Sequence, residues 1–444
     1  MNKFESSANI LLEELKKLGI LEADVIFISS KSLSVNSRLG KLEGTEQSEA
    51  TDLGLRVIKD GKQLTISTTE ISKESLIELA KKASIMVLSV PKDEYCGLPN
   101  KSLYMKKKPE LDLVDSVIPN DQDLLATALE TEDAALSVRG VTNTEGASSS
   151  FSKYNISLVN TDGFSASLDR TFFSASVSVI AGKGTEMERD YEYQNFTHLA
   201  DLDNPHTIGS IAGERAVSRL YPKKIKSNVV PVIFDNRVSG GLISLLTNSI
   251  SGQIISRGTS FLKDKLGKNL FHSEINIYDD PLRMRGHRSR PFDVEGVETK
   301  VSKIISKGVL ETWILDCRSA RQLKLETTGH ASRNTNSPPS PAPSNVYLGA
   351  GNISRNDLIK SVKEGFYVTE MMGMSFNQVT GDYSRGATGF WINNGKLTFP
   401  VSEVTIAGNM LDIYKRLIPA SDLNFKTGID APTVLIENMT VAGL

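Results

Sequence analysis

Hydrophobic positions first recur at helical spacing: Phe4, Ala8, Leu11, Leu12, Leu15 and Leu18 share one face, which predicts a helix within Met1–Gly19. The period then shortens. Asp24–Ser30 and Ser32–Leu39 read as two strands with alternating faces. Glu49–Ile58 and Gln63–Thr68 read as a hairpin, with Asp60-Gly61 supplying the positive φ of a tight turn. Ser72 then caps a helix carrying Leu76, Leu79, Ala80 and Ala83. These elements predict an α+β unit over residues 1–90.

From Val90 to Pro119 the pattern dissolves into prolines and a Lys106-Lys107-Lys108 run, which predicts an irregular connector over 91–120. Leu124, Leu125, Ala128 and Leu129 restore a helix over Asp121–Leu136. Ser137–Phe196 is rich in Ser, Thr, Val and aromatics and predicts three or four long antiparallel strands. An amphipathic helix over Thr207–Leu220, ended by Pro222 and three lysines, closes a unit at 121–226. The remainder, 227–444, is predicted strand-dominated, with short helices near 316–324, 354–364 and 408–417. The four prolines of Asn334–Asn345 predict an exposed loop of polyproline character. The fold class is α+β: an N-terminal, α/β sandwich-like region with antiparallel strands, then a large strand-rich C-terminal domain.

The stretch Val229–Phe261 organises the chain. Val229, Val230, Val232, Ile233 and Phe234 predict a buried strand, and Pro231 places it at an edge or strand start. Asp235 and Asn236 offer capping oxygens to a helix whose apolar face is Leu242, Leu245, Leu246 and Ile250. Gly240 and Gly241 cost helix propensity and point to close backbone packing. The stretch ends in Arg257-Gly258-Thr259-Ser260-Phe261.

This segment resembles the third domain of the TldD and PmbA (TldE) family of bacterial and archaeal proteases. In the TldD branch the same strand–helix unit carries an HExxxH zinc motif about ten residues before a GTS turn. Counting back from Gly258, the corresponding positions are Ile243, Ser244, Leu245, Leu246, Thr247 and Asn248. Ile243, Ser244 and Asn248 replace the histidine, glutamate and histidine, and none supplies a zinc ligand of the usual kinds. The cysteine that completes the metal site near the C-terminus in that branch has no counterpart in Phe425–Pro432. Both absences point to the PmbA/TldE branch.

Further likeness lies in Thr327-Thr328-Gly329-His330 with Arg333, in Pro343-Ser344-Asn345, in Thr380-Gly381-Asp382-Tyr383-Ser384 and in Val404–Asn409. Each of the two Gly-centred runs has two readings. Thr328, Gly329, His330 and Arg333, and Gly381, Asp382, Tyr383 and Ser384, form either groove-facing or partner-facing loops, or plain turns.

Composition narrows the rest. A net charge of −2 without a long basic block gives no case for nucleic acid. No apolar run reaches the length of a membrane span, and the glutamates of the first helix are foreign to a signal peptide. Cys96 and Cys317 are too few for a disulfide framework, which fits a reducing cytoplasm. The five histidines, His198, His206, His272, His287 and His330, show no i, i+4 pairing of a zincin. No G-x-S-x-G elbow exists, and Gly349-Ala350-Gly351 lacks the third glycine of a dinucleotide fingerprint. Cys317 beside Arg318 and Arg321 has a lowered-pKa reading, against an inert buried reading from its apolar neighbours.

The resemblance implies a non-catalytic subunit without cofactor, paired with a TldD-like chain that binds zinc and cuts peptide bonds. This chain would shape the groove that admits unfolded peptides, with a homodimer formed in isolation. Two alternatives remain: a stand-alone non-metal hydrolase, and a homodimeric peptide-binding or scaffold protein.

Overall fold

The computed structural model describes residues 3–443. Helix α1 (Lys3–Lys17) buries Ala8, Leu11 and Leu15. Strands β1 (Glu22–Arg38), β2 (Lys41–Lys59) and β3 (Lys62–Thr68) follow as an antiparallel meander. The two strands expected over 24–39 are thus one. Residues 23–27 of β1 are buried on both faces. Val25 and Phe27 pack under α1 and α2 (Lys73–Met86), while Ile26 joins Tyr104, Leu158 and Phe292 on the other side. Ser72 Oγ caps α2 by accepting the Ser75 N–H at 3.3 Å.

Residues 91–120 follow an irregular path, with a short 3-10 turn at Lys101–Leu103, to α3 (Asp121–Leu136). Asn120 and Asp123 form a reciprocal cap at its N-terminus. Strands β4 (Val141–Asn160), β5 (Ser165–Ala181) and β6 (Glu188–Phe196) precede α4 (Pro205–Ser218). β1 pairs with β4 from Asp24↔Asn160 to Ser37↔Ala147. Residues 3–90 and 121–226 therefore contribute to one continuous sheet, ordered β3-β2-β1-β4-β5-β6. Helices α1 and α2 cover one end of it, and α3 and α4 pack on Ala147, Val177 and Val179 at the other.

The C-terminal region starts with β7 (Asn228–Phe234), α5 (Asn236–Ser249) and α6 (Gly252–Ser256). Short elements follow: β8 (Ile277–Asp279), β9 (Ser302–Ser306), β10 (Val309–Leu310), α7 (Cys317–Leu323), β11 (Ala331–Ser332), β12 (Ser340–Pro341), β13 (Val346–Leu348) and α8 (Arg355–Ser361). Long strands β14 (Glu364–Phe376), β15 (Asp382–Asn393) and β16 (Lys396–Asn409) lead to α9 (Met410–Lys415), β17 (Leu417–Pro419), β18 (Ile429–Asp430) and β19 (Val434–Ala442). One sheet runs β16-β15-β14-β7-β19-β17, and β16 also pairs with β19, so the sheet curls into a ring. A second runs β10-β9-β8-β13-β18. Leu242, Ile243, Leu246 and Ile250 of α5 sit in the core shared by both sheets.

Two further expectations are corrected. β7 is an interior strand between β14 and β19, not an edge. Pro231 is tolerated because β14 pairs only with Val232–Phe234, and the β19 register shifts between Ile436 and Met439, opposite the proline. The Asn334–Asn345 segment is not an exposed loop. Ser340–Pro341 pairs with β11, and the backbone of Thr335 lies on Gly54 of β2, where an added Cβ would stand 2.2 Å from the Thr335 carbonyl oxygen. Only glycine permits that approach, and it clamps the first sheet to the C-terminal region.

Candidate functional site

The site is built on the N-terminal half of α5. Asp235 caps the helix by accepting the Arg237 N–H at 3.0 Å, and its carboxylate also takes the Tyr367 hydroxyl and pairs with Arg355 at 3.3 Å. Burial, with Asp235 alongside, pushes the Tyr367 hydroxyl well above its usual pKa, so it stays a donor to that carboxylate. The segment 429–431 presses on the next turn. Ser239 Oγ donates to the Ala431 carbonyl at 3.2 Å, and a Cβ on Gly240 would meet the Ile429 carbonyl at 2.7 Å.

The three positions aligned with the zinc motif do not converge. Ile243 is 0% exposed and faces the shared core, Ser244 is half-buried, and Asn248 is exposed. Residues 243 and 248 stand roughly 140° apart around a helix of ~100° per residue. An aliphatic core side chain, a hydroxyl and a surface amide make no zinc site, and 425–432 adds no thiol. Among the described residues no three His, Cys, Asp or Glu side chains are grouped to hold a metal ion.

The outward face of α5 instead borders a cleft of about 790 Å³. Its walls are Arg237, Gly240 and Gly241 of α5, Asp190–Tyr193 of β6, Arg215 of α4 with Arg219 at that helix's C-terminal cap, and the 424–430 segment. The wall is a lattice of paired charges. Asp190 accepts from Arg237 at 2.9 Å and from Arg219 at 3.3 Å. Glu192 pairs with Arg215 and, at 3.4 Å, with Lys426. Glu370 on β14 pairs with Arg219, and Glu188 lies 3.5 Å from it. Burial raises the Glu188 pKa, and Arg219 opposes that rise. Burial also works against charge on Arg219 and Arg237, but Glu370 and Asp190 overrule it and hold both guanidinium pKa values up.

β6 is the free edge of the first sheet. The Tyr191 carbonyl accepts from Arg237 at 3.3 Å and Arg215 at 3.5 Å, so it points away from β5 into the cleft. By the two-residue alternation the Tyr193 backbone points the same way. Asp190, Glu192 and Gln194 are buried toward α4, whereas Tyr191 and Tyr193 are exposed on the opposite face. The arrangement offers an extended chain an open strand edge between two charged walls.

The other sequence candidates lie elsewhere. His330, 4% exposed, takes Thr328 Oγ1 at 2.8 Å on Nδ1 and Asp279 Oδ2 at 2.9 Å on Nε2. This chain of Thr, His and Asp has the connectivity of a hydrolase triad, but the Thr328 hydroxyl already serves Leu315 N–H at 2.8 Å and Leu315 C=O at 3.2 Å. Ser344 also donates to Asp279. Arg333 is fully buried and pairs with Asp24. The Thr328–Arg333 group therefore fastens the interior and does not line the cleft. Gly381 ends the turn into β15, and Asp382–Ser384 are the first residues of that strand. Asp382 accepts from Thr380 Oγ1 at 2.6 Å and Asn409 Nδ2 at 3.1 Å, while Tyr383 is buried with its hydroxyl on Met371 Sδ at 3.2 Å. Cys317 is buried, and burial together with Glu295 drives its thiol pKa up, which makes it inert at neutral pH.

The cleft residues went unseen in the sequence because they come from β6, α4, α5, β14 and a C-terminal loop. The one local signal was Asp190-Tyr191-Glu192-Tyr193-Gln194, an alternation of acids and tyrosines with no apolar face.

Family models describing PmbA/TldA metallopeptidase domain 1, central domain and C-terminal domain match residues 23–87, 116–220 and 227–443. The chain is 34% identical over 424 residues to a protein named metalloprotease PmbA from Escherichia coli O157:H7, covering 95% of this chain and 92% of that one. A crystal structure of a Bacteroides thetaiotaomicron protein described as a candidate modulator of DNA gyrase superposes with TM-score 0.93 at 26% identity, over 100% of both chains. TldE from Thermococcus kodakarensis shares the fold at TM-score 0.87 and 21% identity, again over 100% of both chains.

Proposed function

Because the chain belongs to the PmbA/TldA metallopeptidase family, we propose that it is a PmbA/TldE-type subunit that carries no zinc and shapes a peptide groove. A TldD-like partner supplies the metal and the hydrolysis, and the pair degrades or processes unfolded peptides in the cytoplasm. The observation that carries this reading is the placement of α5. Its motif positions point a core isoleucine inward and a surface amide outward, while its other half borders an open cleft.

In this chain the residues orient rather than cleave. The free edge of β6 binds an extended backbone without regard to sequence, and folded segments are excluded because their backbone groups are already paired. Arg215, Arg219 and Arg237, held by Asp190, Glu192 and Glu370, keep the edge in place at the mouth of α5. The test is reconstitution. Purified alone, the chain should lack stoichiometric zinc and leave an unstructured fluorogenic peptide intact. Mixed with a TldD-like chain it should co-purify and raise peptide cleavage. Cleavage by this chain alone, or no association with any TldD-like chain, would overturn the reading.

A further inference from the structure

Among the described residues the cationic side chains around the cleft are each held by a carboxylate, with one exception. The Arg385 side chain on β15 forms no hydrogen bond or ion pair among the described residues, and its Nε is buried without an acceptor. Four other arginines have buried atoms in the same condition, namely Arg56, Arg219, Arg290 and Arg333, yet each is otherwise engaged by carboxylates or carbonyls. A guanidinium partly withdrawn from water without a partner lowers stability, so its presence calls for a ligand.

Arg385 lines a recess of about 270 Å³ together with Arg237, Gly241, Thr369 and Glu370. The recess shares Tyr191, Arg237, Gly241 and Thr369 with the main cleft, so it forms one end of it. Its volume suits a single residue. Its charges suit one negative group: Arg237 is held by Asp190 and Glu370 by Arg219, which leaves the Arg385 fork free. A planar guanidinium matches a carboxylate in a two-bond fork, and one free guanidinium balances its single charge.

We propose that this recess is a carboxylate-binding subsite that receives the C-terminal end of an extended peptide lying along β6. The inference rests on the reading of the cleft as a peptide groove, and it adds direction: the chain's terminus is fixed at Arg385 and the rest runs along the strand edge. An acidic side chain offers the same chemistry, and the test separates the two sources.

The experiment titrates the full-length chain calorimetrically with an N-acetylated tripeptide as free acid, as amide, and as an amide ending in glutamate. Wild type should bind the free acid at least about tenfold more tightly than the amide. Arg385→Gln should erase that preference, and Arg385→Lys should restore part of it. Because Arg385 has no partner in the fold, Arg385→Gln should melt no lower than wild type, whereas a structural arginine would cost stability. Tighter binding of the glutamyl amide than of the free acid would reassign the subsite to acidic side chains and overturn the terminal assignment. Equal binding of acid and amide, or binding of neither, would overturn the subsite itself. A longer unstructured peptide amide separates this from the groove. If it binds while the tripeptide acid shows no preference, the groove stands and the subsite falls. If only the short acid binds, and does so through Arg385, the subsite stands and the groove falls.

Discussion

Arg333 and Asp24, 309 positions apart in the chain, meet in a buried ion pair between the first sheet and the C-terminal region. Arg56 completes the contact with Nε on the same carboxylate at 2.7 Å, and Glu295 sits 3.5 Å from Arg56 Nη1. One aspartate thus holds two arginines from different parts of the chain, beside the Gly54–Thr335 contact. Burial alone would raise the Asp24 pKa, but Arg333 and Arg56 override it and hold the carboxyl below its usual value.

Asp24→Asn removes the charge that both arginines need. Breaking a buried pair from one side typically costs about 3–5 kcal/mol because the remaining charge is left uncompensated. The expected outcome is a lower urea midpoint. Adding Arg333→Met to the Asp24→Asn variant should give a double variant that has lost less than the two single changes added together. Additive losses measured in that double-mutant cycle would show that the pair is not coupled.

A second buried pair responds to pH in the opposite sense. Burial, and then the neighbouring Glu295, push Asp293 up to about 7 from 3.8. The folded chain therefore keeps a proton that the unfolded chain releases. This contribution to stability is complete below about pH 4, declines as pH rises and is gone above about pH 7. Asp24 contributes in the other direction, losing stability as pH falls below its ordinary range. Asp293 also accepts Ala331 N–H at 3.0 Å through Oδ2, which an amide nitrogen cannot do. Asp293→Asn should accordingly be less stable than wild type at pH 5, by about 1–3 kcal/mol, with the gap narrowing by pH 8. Thermal melts of both proteins across that range would show whether the gap closes, and a constant gap would refute the assignment.

Much of the framework was legible because its local signals agree. Ser72 and Asp235, read as capping residues, each start a helix in the structure. The strand–helix unit at 229–249 was equally plain. The first eight residues of β2 were not, because Lys41–Ser48 is almost entirely exposed and so carries no alternation. The joining of β1 to β4 was also hidden, since pairing across such a separation leaves no periodic trace. The same applies to the site. α5 could be read from its pattern, but the cleft depends on which distant residues face it, and Thr328, His330 and Arg333 turned inward for the same reason.

Restoring the zinc motif tests the placement of α5. In a triple variant with Ile243→His, Ser244→Glu and Asn248→His, the first imidazole enters the core shared by both sheets and the second remains at the surface. They cannot share an ion without unwinding the helix. An unpaired buried imidazole alone costs about 1–3 kcal/mol. The variant should melt below wild type, carry no stoichiometric zinc after dialysis and remain without peptidase activity. A cysteine added within 426–431 is the least that would supply a third ligand. Elemental analysis showing about one zinc per triple-variant chain would mean that the helix register differs from the one described.

The edge of β6 gives the last prediction. Since the Tyr191 carbonyl points into the cleft, the Tyr193 N–H two residues on points there as well and takes no part in the ladder to β5. Proline at 193 removes that donor and fills the space where a docking strand would approach, while the bonds between β5 and β6 remain. Tyr193→Pro should therefore weaken binding of an unstructured peptide by about tenfold or more, as loss of a backbone bond and a steric block together imply. Tyr193→Phe, which keeps the N–H and loses only the hydroxyl, should bind like wild type. Circular dichroism would check that the sheet persists in both. If Tyr193→Pro bound peptide as well as wild type while remaining folded, the strand edge would not be the docking surface, and the cleft would have to hold peptides by its side chains alone.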